Sequence, residues 1–444
     1  VSDLVTHGRN ALGLRHWLGW GFVFALASVF TIDVPLALSR SGSLAVTVGD
    51  FVGAGLWAAL AWLLVTKRWR PGPPYRAVLL AVAVFCAWFG VVTLIRLASN
   101  DEVLQAFLIA RTTLLPVAGF LIVGAKLEPA QRALGGLVVF ELLLTVWHLH
   151  EWNNMRMSLF LGNSIVYAGL IVMLLPLNTY VASRDKSEMP WALRWMALAN
   201  MLAALVFPVW AGSRGTSLVA FVVILATFLV MAFRGRFVLT LLALGACALV
   251  IQAGVWYVNP QGAAYGIYRL VPPPIELGLV PPHEGQVTSD LAQRETALVE
   301  KGKSDAGRAE LIDASVDHIK HDPVIGDGVV YFELPDDGVE QQYAAHNFVL
   351  EHINAYGGIG FLLYLLLFAT PLWPAIKWLR RREAQRDAPL LALLTTAALL
   401  TFSLTQPTTL LMVMMVPYYL AIGGLIAPLV VKRPEDAHDR VPLG

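Results

Sequence analysis

Apolar stretches of about twenty residues, the length a helix needs to cross the hydrocarbon core of a bilayer, recur along this chain some twelve times. They fall at 17–38, 44–66, 77–98, 103–125, 133–150, 163–182, 191–212, 215–233, 236–258, 353–375, 388–406 and 408–431, with short polar connections between them. The pattern predicts an all-α polytopic membrane protein: helices 1 to 9 within 1–258, helices 10 to 12 within 353–431, and a tail at 432–444. The segment 259–352 breaks the rhythm. It is too polar to span and forms one long loop.

Charge orients this array. Every second connection collects the basic residues, such as Lys67, Arg68, Arg70 and Arg76 in one and Lys377, Arg380, Arg381, Arg382 and Arg386 in another. Short loops on the opposite side hold only Arg40, Arg156 and Arg214. Cytoplasmic loops retain basic residues, so the rule places both termini in the cytoplasm and the long loop in the periplasm of a bacterial inner-membrane protein. A hydrophobic fraction of 57% with 14% charged residues excludes an ordinary soluble domain. A net charge of +1 gives no reason to expect nucleic acid as a partner. Cys86 and Cys247 are the only cysteines, both inside spans, which argues against a disulfide framework or a thiolate metal site.

The long loop is acidic and begins with a proline-rich stretch that includes Pro272, Pro273 and Pro274. Loops of such length are often functional. Within it, 305–322 reads as an amphipathic helix, capped by Asp305 and stopped by Pro323, Gly326 and Gly328. At about 100° per residue Leu311, Ile312, Val316 and Ile319 share a face, and Arg308 falls in the middle of it. An arginine on an apolar face needs a counter-charge, and the first turn of a helix favours anions. Two readings stay open for Arg308: an anion site facing the membrane surface, or a salt bridge to a loop carboxylate.

Other polar residues sort to the same side. Arg214 sits in the tight turn Gly212-Ser213-Arg214-Gly215-Thr216, as an interfacial arginine or as part of a phosphate-binding helix start. His346 and Asn347 stand where the loop returns to the membrane; His346 is either an interfacial hydrogen-bonding residue or a general base. Arg111 lies deep in a span and should face a cavity or a partner, here assigned to the substrate cavity. Arg96 and Glu141 lie less deep, and Glu141 could pair with an arginine. No GxxxxGK[ST] loop, HExxH motif or Cys/His cluster occurs, so no metal site is expected.

Three segments resemble the O-antigen ligase and Wzy-type polymerase superfamily. They are Ser213-Arg214-Gly215; then Gly307-Arg308 with His321-Asp322-Pro323-Val324-Ile325-Gly326-Asp327-Gly328; then His346-Asn347-Phe348-Val349-Leu350 ahead of Gly357-Gly358-Ile359-Gly360. Gly162-Asn163 is similar to another recurring feature, so the resemblance covers about 162–366. It implies a GT-C-like fold and a transferase that needs no metal or cofactor. The implied donor is an undecaprenyl pyrophosphate-linked glycan and the implied acceptor is a sugar hydroxyl of lipid A–core. It also implies that Arg214 and Arg308 hold the pyrophosphate while His346 activates the acceptor hydroxyl; Asn347 and Arg111 join the expected substrate contacts. A Wzy-type polymerase or a protein O-oligosaccharyltransferase would share the donor and differ in acceptor. A transporter or flippase of an anionic or lipid-linked solute is the rival from another class, and no matched pair of interrupted segments favours it.

Overall fold

A computed structural model describes residues 18–35, 43–96, 110–150, 164–185, 187–210, 214–232, 236–258, 309–328, 331–336, 339–344, 347–380, 387–404 and 411–430. The elements run α1 (Trp20–Ala27), β1 (Thr31–Pro35), β2 (Ser43–Thr47), α2 (Val48–Val65), α3 (Pro73–Ile95), α4 (Val117–Gly124), α5 (Ala130–His150), α6 (Ser164–Ala182), α7 (Trp191–Trp210), α8 (Arg214–Ala232) and α9 (Arg236–Val258). After a helix at 309–321, here α10, come β3 (Tyr331–Asp336), β4 (Val339–Ala344), α11 (Phe348–Arg380), α12 (Asp387–Ser403) and α13 (Met412–Val430).

Among the described residues six helices, α2, α3, α5, α7, α11 and α13, are long and apolar enough to cross a membrane. Shorter apolar stretches at Ala110–Gly124, Val166–Ala182, Ser217–Met231, Val238–Gly254 and Asp387–Ser403 accompany them. The architecture is thus that of an all-α polytopic membrane protein, decorated by two antiparallel hairpins, β1–β2 and β3–β4.

The first hairpin corrects the hydropathy pattern. Among the described residues of the apolar stretch at 17–38, helix covers Trp20–Ala27, and the chain then extends, pairing Thr31 with Thr47 and Pro35 with Ser43. The β-branched residues Thr31, Ile32 and Val34 favour the strand, and Pro35 at its end cannot continue a helix. The hairpin delivers Thr47 as the N-cap of α2 in a reciprocal capping box with Asp50. Pro116 similarly interrupts Ala110–Gly124, where 115 and 116 form a turn before α4.

Helices α6 and α13 are buried on every side along most of their described length. Helix α13 packs on α4, α5, α11 and α12; α6 packs on α7, α8 and α12. A helix that is apolar all round belongs in such a centre. At the periphery α3, α8 and α9 expose Leu94, Leu218, Leu239 and Leu249, faces that suit lipid tails. Helix α11 pairs most extensively with α3, and this pair organises the polar end of the array.

Candidate active site

Helix α11 is broken one-third of the way along. Gly357 takes φ +73° and ψ 177° inside it, a conformation a side chain rarely tolerates. The break releases backbone groups that must find partners. The Asn354 carbonyl accepts from Gly328 N at 2.9 Å, and Gly358 N donates to the Pro323 carbonyl at 2.8 Å. From the other side, Trp88 Nε1 of α3 donates to the Tyr356 carbonyl at 2.9 Å.

The segment that docks into the break is Asp322–Gly328, directly after α10. Gly326 (φ +75°) and Gly328 (φ +83°) allow it to turn back on itself. A Cβ at Gly326 would strike the Asn354 and Ile353 carbonyls and Gly357 N, and one at Gly357 would strike the Val324 carbonyl. The two strands of backbone therefore touch without intervening side chains. Arg96, the C-cap of α3, adds a charged clamp: its Nη2 lies 2.8 Å from Asp322 Oδ2. His318 Nδ1 pairs with Asp327 Oδ2 across the same turn.

Helix α10 is amphipathic as expected, but its buried face is rotated. Leu311 and Ser315 are buried while Ile312 is 40% exposed. Docking of Asp322–Gly328 onto α11 sets the rotation, which hydrophobicity alone misassigns. At its exposed surface Lys320 Nζ hydrogen-bonds Asp317 Oδ1 at 2.9 Å, holding that carboxyl below its ordinary range.

The residues singled out from the sequence are placed as follows. Arg308 and His346 lie outside the described residues, as do Gly162, Asn163 and the proline-rich stretch. Arg214 is the first residue of α8, described in its backbone only. Asn347 is the cap of α11: its Oδ1 accepts from Val349 N at 3.0 Å and Leu350 N at 3.4 Å. The side chain that follows His346 is therefore engaged in fixing the helix start.

Arg111 has a carboxylate partner that hydropathy did not suggest. Its Nε lies 3.3 Å from Asp50 Oδ1, with side chains 14% and 9% exposed. The other oxygen, Asp50 Oδ2, accepts from Thr47 N at 2.6 Å, so one carboxylate both caps α2 and holds Arg111. The capping box Thr47-Val48-Gly49-Asp50 was the legible signal. Glu141 accepts from Asn178 Nδ2 at 2.7 Å, and Asn178 Oδ1 accepts from Asn200 Nδ2 at 3.3 Å. The expected arginine partner is thus replaced by an amide pair joining α5, α6 and α7.

Two buried histidines escaped the sequence reading. His352 donates from Nδ1 to the Phe348 carbonyl at 2.8 Å and stacks on Tyr364 at 3.8 Å between centroids. His148 repeats the arrangement, with Nδ1 on the Leu144 carbonyl at 3.2 Å and its ring on Tyr167 at 3.5 Å. A histidine bonded to the carbonyl four residues earlier is part of helix packing, and neither carries a motif. No group of three or more His, Cys, Asp or Glu able to hold a metal occurs among the described residues.

No curated protein gives a significant match to the chain. Residues 199–365 do match a family model, O-Antigen ligase (Wzy_C), a result consistent with the O-antigen ligase and Wzy superfamily for the stretch that runs from α7 through α11 and contains Arg214, Arg308, His346 and the glycine break.

Proposed function

We propose that the protein is an O-antigen ligase: a metal-independent glycosyltransferase of the bacterial inner membrane. It moves a glycan from undecaprenyl pyrophosphate to a sugar hydroxyl of lipid A–core on the periplasmic face. The observation that carries this reading is the O-Antigen ligase match over 199–365, which spans all three motif segments in order. An apolar polytopic scaffold suits a lipid-linked donor, and the docked glycine turn joins the end of α10 to α11, the helix that begins shortly after His346 in the chain.

In this scheme the acceptor oxygen attacks the anomeric carbon and the bond to the pyrophosphate oxygen breaks. The electron pair leaves with undecaprenyl pyrophosphate, and the hydroxyl proton passes to the His346 imidazole. Charge grows on the leaving group as that bond breaks, so fixed cations at Arg214 and Arg308 lower the barrier. Arginine suits this through its permanent charge and forked donors. Asn347, the next residue in the chain after His346, caps α11 through its Oδ1. Arg111, balanced by Asp50, is assigned to the cavity wall.

The test is transfer from a defined lipid-linked donor to purified lipid A–core by the purified protein, with and without chelator. The reading requires product in both arms. In cells, deletion should abolish O-antigen bands and accumulate lipid-linked polymer. Core bearing a single repeat would instead identify a polymerase, which the same family match accommodates.

A further inference from the structure

We infer that Arg96 is a positioning residue for the proposed transfer reaction, acting through Asp322 to set the angle at which α10 lies on the broken helix α11. The inference rests on the functional reading above for its catalytic consequence. Its geometric part stands without that reading.

Three elements meet at one point. Arg96 ends α3, its side chain is 11% exposed, and Nη2 reaches Asp322 Oδ2 at 2.8 Å. Asp322 closes the last turn of α10, donating from its backbone N to the His318 carbonyl at 3.2 Å. Its own carbonyl accepts from Gly326 N at 2.9 Å, and the next residue, Pro323, accepts from Gly358 N of α11. Helices α3 and α11 are themselves fastened by the Trp88 indole on the Tyr356 carbonyl and by edge-on contacts of Phe85 and Phe89 with the Tyr356 ring.

The backbone bonds to α11 lie along one short line, at 323–328 against 354–358. Burial of Leu311 and Ser315 seats one face of α10, and apolar burial, being non-directional, leaves the angle of that seat to be set by polar contacts. The Arg96–Asp322 pair comes from a different helix and adds such a contact at the C-terminal end of α10. The Nη2–Oδ2 contact is a charge-assisted hydrogen bond and so is directional. Asp322 sits at the anchored end of α10, and the far end, at Ala309, lies roughly 20 Å away along the helix axis. A tilt of about 5° at the anchor therefore displaces the far end by roughly 1–2 Å. Arg308 adjoins that far end in the chain. Displacements of this size are enough to cost on the order of 100-fold in a reaction that depends on alignment.

The experiment compares Arg96→Gln, Asp322→Asn and the exchange Arg96→Asp with Asp322→Arg. Steady-state transfer kinetics with both substrates and thermal unfolding are measured on each. Each single variant should lower kcat by about 10- to 100-fold, with KM for donor and acceptor within about threefold and unchanged melting. The exchange should recover most of the lost kcat. Wild-type kcat in both single variants, or an exchange no better than either, overturns the inference. A second readout needs no turnover: spin labels at Glu310→Cys and Ile359→Cys, in a Cys86→Ser, Cys247→Ser background. A single narrow distance is expected in the parent, broadened by Arg96→Gln; equal widths in both overturn the inference. If the parent transfers no glycan, the functional reading fails while the distance measurement still decides the positioning role.

Discussion

The Trp88 indole of α3 donates to the Tyr356 carbonyl of α11 immediately before Gly357 takes its positive φ. A broken helix in an apolar surround must have its freed carbonyls satisfied by protein, and two carbonyls at the break have donors from outside the helix: Trp88 for Tyr356 and Gly328 for Asn354. The break is thereby a docking site for Asp322–Gly328 rather than a defect.

Gly357→Ala should be severely destabilising, by about 3 kcal/mol or more, because it combines a disfavoured φ with a backbone collision at the Val324 carbonyl. Gly90→Ala in α3, where a Cβ meets open space, should be neutral or stabilising by up to about 1 kcal/mol. Thermal unfolding of the two variants in the same detergent checks the contrast.

Asp50→Ala removes the carboxylate half of the α2 capping box and the Arg111 ion pair, both largely buried. The expected loss is about 3 kcal/mol, against about 1 kcal/mol for Thr47→Ala, which touches the cap alone. Equal losses in denaturation would show that the Arg111 pair contributes nothing.

Asn354 is almost fully buried, and neither side-chain polar atom has a partner among the described residues. Asn354→Leu, similar in volume, should leave stability unchanged or raise it by about 1 kcal/mol. Destabilisation beyond about 1 kcal/mol would mean that the amide is satisfied in the protein.

Glu128, in the connection before α5, accepts from Trp20 N at 2.8 Å while buried. Burial raises its pKa above the ordinary 4.5, offset in part by the Trp20 N–H and by Arg132. A carboxyl with a raised folded pKa favours the fold most below its unfolded pKa, and that contribution is lost as pH rises through the folded value. Glu128→Gln should therefore gain on the wild type as pH is raised from about 4 upward, measured as the difference in melting temperature.

For the proposed reaction, His346→Ala should abolish transfer while donor binding persists, and Arg308→Ala should lower kcat on the order of 10²–10³-fold. Arg308→Lys should remain impaired, because one ammonium cannot reproduce a forked grip. Full activity in purified His346→Ala would remove the general base.

The sequence by itself determined that this is an apolar, many-helix membrane protein, since a run of about twenty apolar residues has few stable fates other than a span. It also showed the ordered motifs whose resemblance agrees with the match over 199–365. Local chemistry was legible in part: the glycines at 326 and 328 ended a helix and Gly357 fell in a motif segment, while the equally local Thr47–Asp50 box went unread. Only the tertiary structure decided that Gly326 and Gly357 serve one contact, that Arg96 meets Asp322, and that Arg111 meets Asp50. It also decided which face of α10 is buried and where the first apolar stretch turns into a strand. These are pairings between residues tens to hundreds of positions apart, set by how helices pack. Hydropathy measures each residue's preference for lipid or water and carries nothing about which distant partner relieves a buried charge or a freed carbonyl.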